Sequence, residues 1–277
     1  MLTGAGISTA SGIPDFRGPG GVWTRRRPVY YDDFMSSEAA RVEYWNFKLE
    51  SRAVYQRAQP NGVHHAIVAL ERAHKIAAVV TQNVDGLHRR AGTSAERLVE
   101  VHGTDLLIEC QRCHETSDPE PHFEAFARTR RPPVCDRALT ARAPAQGAGL
   151  IEGPPASDRA AHEKCGGLLK PATISFGQPL RPATLERAAA AAQACDLVVA
   201  LGSTLSVYPA ASIPLMAAER GVPYVIVNRG PTDHDGHPAV TLRLDGDVTE
   251  IVPAAVERAL GETARSLQPL PPDEGGC

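Results

Sequence analysis

Cys110 and Cys113 stand three positions apart, the spacing that lets one tight knuckle present two thiolates to a metal ion. Cys165 precedes Gly166 and Gly167, which suits a second knuckle. A structural zinc site takes four ligands, and two residues compete for the remaining place: Cys135, and His162 three positions before Cys165. A lone C-x-x-C also has the spacing of a redox pair, but cysteines on both sides of a proline-rich stretch favour zinc. Cys195 lies at the edge of an apolar run and reads as core; Cys277 lies on the terminal tail.

Elsewhere the chemistry-bearing residues sit in short polar or glycine-rich runs. Gly4-Ala5-Gly6-Ile7-Ser8 has glycines that let a backbone approach a pyrophosphate, although it is not a complete G-x-G-x-x-G fingerprint and also reads as a plain tight turn. Ser11 to Arg17 places Asp15, Phe16 and Arg17 on a loop stiffened by Pro14. Arg17 has the planar fork that meets phosphate, and Phe16 has a face to cover a planar ring; a surface turn with a buried phenylalanine is the plainer reading. In Thr81 to His88, Gln82, Asn83 and Asp85 offer amide and carboxylate partners for a ribose or a carboxamide, or equally a helix cap. His102-Gly103 supplies an imidazole whose ordinary pKa suits a general base near neutrality, though an isolated histidine is more often structural. Gly202 to Pro209 and Asn228 each follow an apolar run, where a second mononucleotide half would bind.

The elements that must position these runs are legible in outline. Residues 76–81, 196–201 and 222–228 are short apolar runs suited to strands buried on both faces. Helical stretches lie at Leu185 to Ala194, Ile213 to Arg220 and Val248 to Leu260, the last two ending at Gly221 and Gly261. Alternation of this kind predicts an α/β fold, a doubly wound parallel sheet. Residues 18–65 form a helical segment, with Arg41 to Arg57 amphipathic, and 109–167 form an insertion holding four cysteines. The chain is 277 residues, 43% hydrophobic and 22% charged, which suits about two domains. Its net charge of −3 argues against general nucleic-acid or membrane-surface binding. No apolar run is long enough to span a bilayer, and no signal peptide is visible. A cytoplasmic location is expected, where thiols stay reduced.

In order, GAGIS with GIPDFR, TQNVDGLH, His-Gly, CxxC, CGGLLKPATISFG, GSTLSVYP and VIVN resemble the sirtuins, NAD-dependent protein-lysine deacylases. The resemblance covers roughly residues 2–260. It implies a Rossmann-like domain over 1–108 and 168–265, with the helical segment within it, and a small zinc-binding domain over 109–167; 266–277 is expected to be a disordered tail. Acyl-lysine peptide and NAD would meet in the cleft between the domains. Gly4, Ala5, Gly6, Asp15, Phe16 and Arg17 would line the NAD loop. Gln82, Asn83 and Asp85 would hold the nicotinamide ribose and carboxamide. His102 would be the general base, with Asn83 sharing the catalytic role. Gly202, Ser203 and Thr204 would face the diphosphate and adenosine, and Asn228 and Val248 would complete the adenosine site. Phe176 and Gly177, with Leu205 and Val207, would flank a peptide added as a strand. The amide oxygen of the acyl-lysine would attack C1′ of the nicotinamide ribose and release nicotinamide. His102 would then help a ribose hydroxyl attack the amide carbon, and water would resolve the intermediate to free lysine and acylated ADP-ribose. Zinc would be structural, held by Cys110, Cys113, Cys135 and Cys165.

Two departures stand out. The family's second cysteine pair is normally C-x-x-C, whereas Cys135 and Cys165 are separated by an insertion rich in alanine, proline and glycine; Cys135 is preferred to His162. Only Met1-Leu2-Thr3 precede the first glycine motif, so upstream coding sequence is expected to supply an apolar run. Tyr44 and Arg52 do not have the spacing of members that prefer acidic acyl groups, which leaves acetyl-lysine as the default. Mono-ADP-ribosyl transfer, a non-catalytic NAD sensor and a dehydrogenase are the alternatives.

Overall fold

A computed structural model describes residues 1–16, 21–138 and 164–266. The chain divides into two compact units: one of Met1–Pro28, Ala53–Gly103 and the chain from Pro179, the other of Val29–Arg52 and Thr104–Gln178.

The first unit is built on a six-stranded parallel sheet. Its strands are β1 (Leu2–Thr3), β2 (Val79–Thr81), β3 (Leu98–Glu100), β7 (Val198–Leu201), β8 (Tyr224–Asn228) and β9 (Leu242–Asp245), in the order β3-β2-β1-β7-β8-β9. Successive residues point to opposite faces, so each strand serves two cores. Val80, Ala200 and Ile226 pack on one face with Ala188 and Ala192 of α7 (Pro182–Ala194) and Ile213 and Ala217 of α8 (Ser212–Ala218). Their neighbours Val79, Leu201 and Val227 pack on the other with Ile67 of α4 (Gly62–Arg72) and Val252 and Val256 of α9 (Val248–Ser266). This double coverage is the Rossmann-like arrangement expected of the continuous apolar runs. Each strand begins two or three residues into its run and keeps the run's carboxyl end, at Thr81, Leu201 and Asn228. β9 escapes sequence reading because its leucines alternate with Arg243 and Asp245. Two short elements complete the N-terminal half, α1 (Val22–Arg25) and α5 (Leu87–Ala91).

The second unit holds a three-stranded sheet of β5 (Thr116–Ser117), β4 (Gly103–Cys110) and β6 (Leu169–Thr173), with α2 (Tyr31–Ser36), the first part of α3 (Glu38–Arg57) and α6 (Glu120–Thr129). Its core is aromatic. Trp45 lies 5.1 Å from Phe123 and 5.6 Å from Phe126, and its indole N–H donates to the Leu169 carbonyl at 3.2 Å. β6 is unexpected from sequence because lysine and proline occupy its middle.

The unit boundaries differ from those read in sequence. Residues 29–52, expected within the Rossmann-like domain, pack in the second unit, because Phe34, Tyr44 and Trp45 supply its core. The second unit also runs on to Gln178 rather than ending at 167. The expected tail falls beyond Ser266 and, like Arg17 and His162, lies outside the described residues. No helix among the described residues is long and apolar enough to cross a membrane.

Candidate functional site

In the sheet order, β1 has β2 on one side and β7 on the other. The chain therefore winds outward in both directions from β1, and the loops leaving β1 and β7 at their carboxyl ends flank a topological switch point. These loops interlock through backbone. Gly6 N–H donates to Gly202 O at 2.8 Å, and Gly4 N–H to Leu201 O at 3.0 Å. A Cβ on Gly202 would sit 2.6 Å from Ile7 N, and φ of +58° there already disfavours any side chain. Gly202→Ala is therefore expected to cost about 3 kcal/mol, combining left-handed strain with overpacking. Thermal melting checks this; an unchanged midpoint would contradict the tight contact.

The polar run after β2 is folded onto the same loops. Asn83 donates both amide protons inward, to Gly4 O at 3.1 Å and Ser8 Oγ at 3.2 Å. Ser8 in turn donates to Asp85 Oδ2 at 2.8 Å, and Asp85 Oδ1 accepts from Leu87 N–H at 2.9 Å. Asn83 and Asp85 are both buried, so amide, hydroxyl and carboxylate form one rigid polar cluster. Gln82 links two elements: its side chain donates to Ser203 Oγ at 3.0 Å, and its carbonyl lies 3.0 Å from His102 Nδ1. A carbonyl only accepts, so His102 carries its proton on Nδ1, which makes Nε2 the basic nitrogen.

A pair of imidazoles packs against Thr3 at the end of β1. His88 Nε2 bonds Thr3 Oγ1 at 3.0 Å, and its ring meets that of His64 edge-on at 5.1 Å. Burial pushes His88 down to about 3, with His64 adding to the effect, and burial pushes His64 down to about 4. Both stay neutral in the fold, while the unfolded chain takes up protons below about 6.5. The stability they allow is thus full above that pH and lost as pH falls. Each costs about 1.4 kcal/mol at pH 5.5. We expect unfolding free energy to drop by about 3 kcal/mol between pH 7.5 and 5.5; a flat urea-denaturation series would contradict neutral burial.

The remaining loops continue the same edge. Thr204 Oγ1 bonds Ser206 Oγ at 2.9 Å, and the Thr204 carbonyl accepts from Asp233 N–H at 2.9 Å. Leu205 is fully buried at φ +55°, a strained backbone for a branched side chain. Val207 is half-buried, its carbonyl accepting from Ala211 N–H at 2.9 Å. Asn228 folds its amide onto the carbonyls of Arg229 and Gly230, while Arg243 donates to the Asn228 carbonyl at 3.0 Å and pairs with Asp235 at 2.8 Å. Val248 is buried at the start of α9. Ala5 opens a 3-10 helix over Ala5–Ser11. The carbonyls of Asp15 and Phe16 accept from Val22 and Trp23 at 3.0 Å, and the Phe16 ring stacks on Trp23 at 5.5 Å.

In the second unit, the thiol sulfurs of Cys110, Cys113, Cys135 and Cys165 all lie within 4.8 Å of one another. Two separations are 3.6 Å (Cys110–Cys165) and 4.0 Å (Cys113–Cys135). Tetrahedral zinc at about 2.3 Å from each sulfur puts them about 3.8 Å apart, so the set fits zinc. The Cys110 sulfur also accepts from the N–H groups of Arg112 and Cys113, at 3.4 and 3.5 Å, as a knuckle thiolate does. A Cβ on Gly167 would land on the Cys110 sulfur, which explains the small residue there. The same unit carries Phe176, whose carbonyl accepts from Tyr31 N–H at 2.8 Å and whose ring lies 5.9 Å from that of Tyr30. Gly177 follows at φ +81°.

The Sir2 family model matches residues 4–209 of the chain. The chain belongs to the Sir2 family. It is 38% identical over 246 residues to NAD-dependent protein deacetylase 1 of Bradyrhizobium diazoefficiens, covering 88% of this chain and 85% of that one. Among solved structures it is similar to a Sir2 enzyme with a deacetylated p53 peptide and 3′-O-acetyl ADP-ribose (TM-score 0.75, 34% identity, 93% and 91% covered). It is also similar to a Sir2 protein bound to a propionylated peptide (TM-score 0.71, 32% identity, 95% and 92% covered). Three features of this Sir2 chain were not assigned from sequence: the Ser8 bridge, the neutral His64–His88 pair and the Arg243 clamp. Ser8 stood in a quoted motif without a role. The other two depend on contacts between segments far apart in the chain, which no local pattern reveals.

Proposed function

We propose that this Sir2 chain removes acetyl groups from protein lysines at the expense of NAD, yielding nicotinamide and O-acetyl-ADP-ribose. The observation that carries the reading is the His102 tautomer: the Gln82 carbonyl holds Nδ1–H, leaving a basic Nε2 beside the Gln82–Asn83–Asp85 run. A protein that only sensed NAD has no use for an oriented base. Gly4, Ala5, Gly6, Asp15, Phe16 and Arg17 would hold the dinucleotide at the first loop, and Gln82, Asn83 and Asp85 its nicotinamide end. Gly202, Ser203, Thr204, Asn228 and Val248 would hold the diphosphate and adenosine. NAD when bound supplies an electrophilic ribose carbon and a hydroxyl acceptor for the acyl group.

The chain's own residues then have defined tasks. His102 Nε2 takes the proton from a ribose hydroxyl, and the Gln82 carbonyl stabilises the imidazolium that results. Asn83 and Asp85 are held by Ser8 and need no reorganisation. Phe16, packed on Trp23, would help exclude water. Phe176, Gly177, Leu205 and Val207 are the proposed peptide contacts. A zinc ion held by Cys110, Cys113, Cys135 and Cys165 would be structural, since four thiolates would leave no position for water. Acyl-lysine peptides are the proposed partners and the cytoplasm the proposed location, in keeping with cysteines gathered as thiols. Incubation with NAD tests the reading: nicotinamide release that requires an acetyl-lysine peptide supports it, and release independent of peptide overturns it.

A further inference from the structure

Lys170 is fully buried in the middle of β6, yet no step above uses it. A buried ammonium is costly unless its protons are taken up. Its hydrogen-bond acceptors are both neutral: the Thr173 carbonyl, and Gln178 Oε1 at 3.3 Å. The charges around it face other groups. Lys48 is held by both oxygens of Asp105, at 2.8 and 3.1 Å. Lys48 and Lys170 lie 5.7 and 5.8 Å from the centre of the Tyr44 ring. Burial pulls the Lys170 amine below its ordinary range, opposed by the fields of Tyr44, Glu109 and Asp105.

What the buried amine does is local and specific. Thr173 is gripped twice, through its carbonyl by Lys170 and through Oγ1 by the Tyr44 hydroxyl at 3.2 Å. Gln178 Oε1, the second acceptor of Lys170, also takes the N–H of Ser175 at 3.1 Å, and Gln178 N–H closes the turn on the Ser175 carbonyl at 3.0 Å. One ammonium thus ties both ends of the turn that carries Phe176 and Gly177. An apolar side chain of similar length would fill the space at lower cost but tie neither end.

We infer that Lys170 is a positioning residue, setting the 173–178 turn so that Phe176 and Gly177 meet the acylated peptide. The inference rests on the proposed reading of that turn as a peptide contact. Two variants test it: Lys170→Met, and Gln178→Ala, which sits at a half-buried position and keeps the fold if the first does not. The expected result is a split. KM for an acetyl-lysine peptide rises about tenfold, while kcat at saturating peptide, KM for NAD and zinc content stay within about twofold. Hydrogen exchange at the Ser175 and Gln178 amides quickens in the same variants. Unchanged peptide KM and unchanged exchange would overturn the inference, and so would a parallel loss of kcat, NAD affinity and melting temperature. If the wild-type protein turned over no acyl peptide, the functional reading would fall by itself, and the exchange rates would still decide whether Lys170 holds the turn.

Discussion

His102→Ala is expected to slow lysine deacetylation by about a thousandfold, within the range of a removed general base. At ~1.4 kcal/mol per decade, that is about 4 kcal/mol of lost barrier reduction. The size follows from pre-organisation. The Gln82 carbonyl at 3.0 Å fixes tautomer and ring angle, so the wild-type imidazole reaches the ribose with its basic nitrogen already selected. NAD affinity should stay within about threefold, because Asn83, Asp85 and the two glycine loops hold one another without His102. Melting temperature should hardly move, since the ring is only partly buried. Single-turnover assays with saturating peptide separate these effects. Retention of more than a tenth of the wild-type rate would show that the proton goes elsewhere.

The second large effect concerns the thiol cluster. Cys135→Ala should lower zinc content from one ion per chain towards none. Three thiolates hold zinc far more weakly than four, and structural zinc contributes roughly 10–16 kcal/mol where a small module depends on it. The second unit also has its own aromatic core of Phe34, Trp45, Phe123 and Phe126. Its collapse should therefore be partial, with an apparent melting temperature about 10–20 °C lower, corresponding to roughly 5 kcal/mol. Deacetylation should be lost, while NAD binding survives in the first unit, where all the proposed dinucleotide residues lie. Metal analysis decides the ligand set. Full zinc in Cys135→Ala, together with its loss in His162→Ala, would contradict the assignment of Cys135.

The legible parts of this molecule are those whose physics is local. Val79 and Val80, or Ile226 and Val227, announce a doubly covered strand because both faces must be apolar. The C-x-x-C spacing of Cys110 and Cys113 and the two glycines after Cys165 announce a metal site because both make tight knuckles that present thiolates. The motif order of the site loops is likewise visible, since each follows a strand end. What could not be read depends on partners distant in sequence. Residues 29–52 look like an appendage of the Rossmann-like domain until Trp45 is seen against Phe123 and Phe126. β6 is disguised by Lys170 and Pro171; the cost of burying Lys170 is offset by Thr173, Gln178 and the Tyr44 ring. β1, only two residues long, is a central strand because β2 and β7 hydrogen-bond it on both sides, and no propensity scale detects so short a run.

In the reaction, one acyl group moves from lysine to ADP-ribose for each NAD cleaved. Mass spectrometry of an acetyl-lysine peptide after incubation with NAD tests it most directly. Equal amounts of deacetylated peptide, nicotinamide and O-acetyl-ADP-ribose are expected, all formed about a thousandfold more slowly with His102→Ala. A peptide that keeps its acetyl group while a protein gains the mass of ADP-ribose would contradict it.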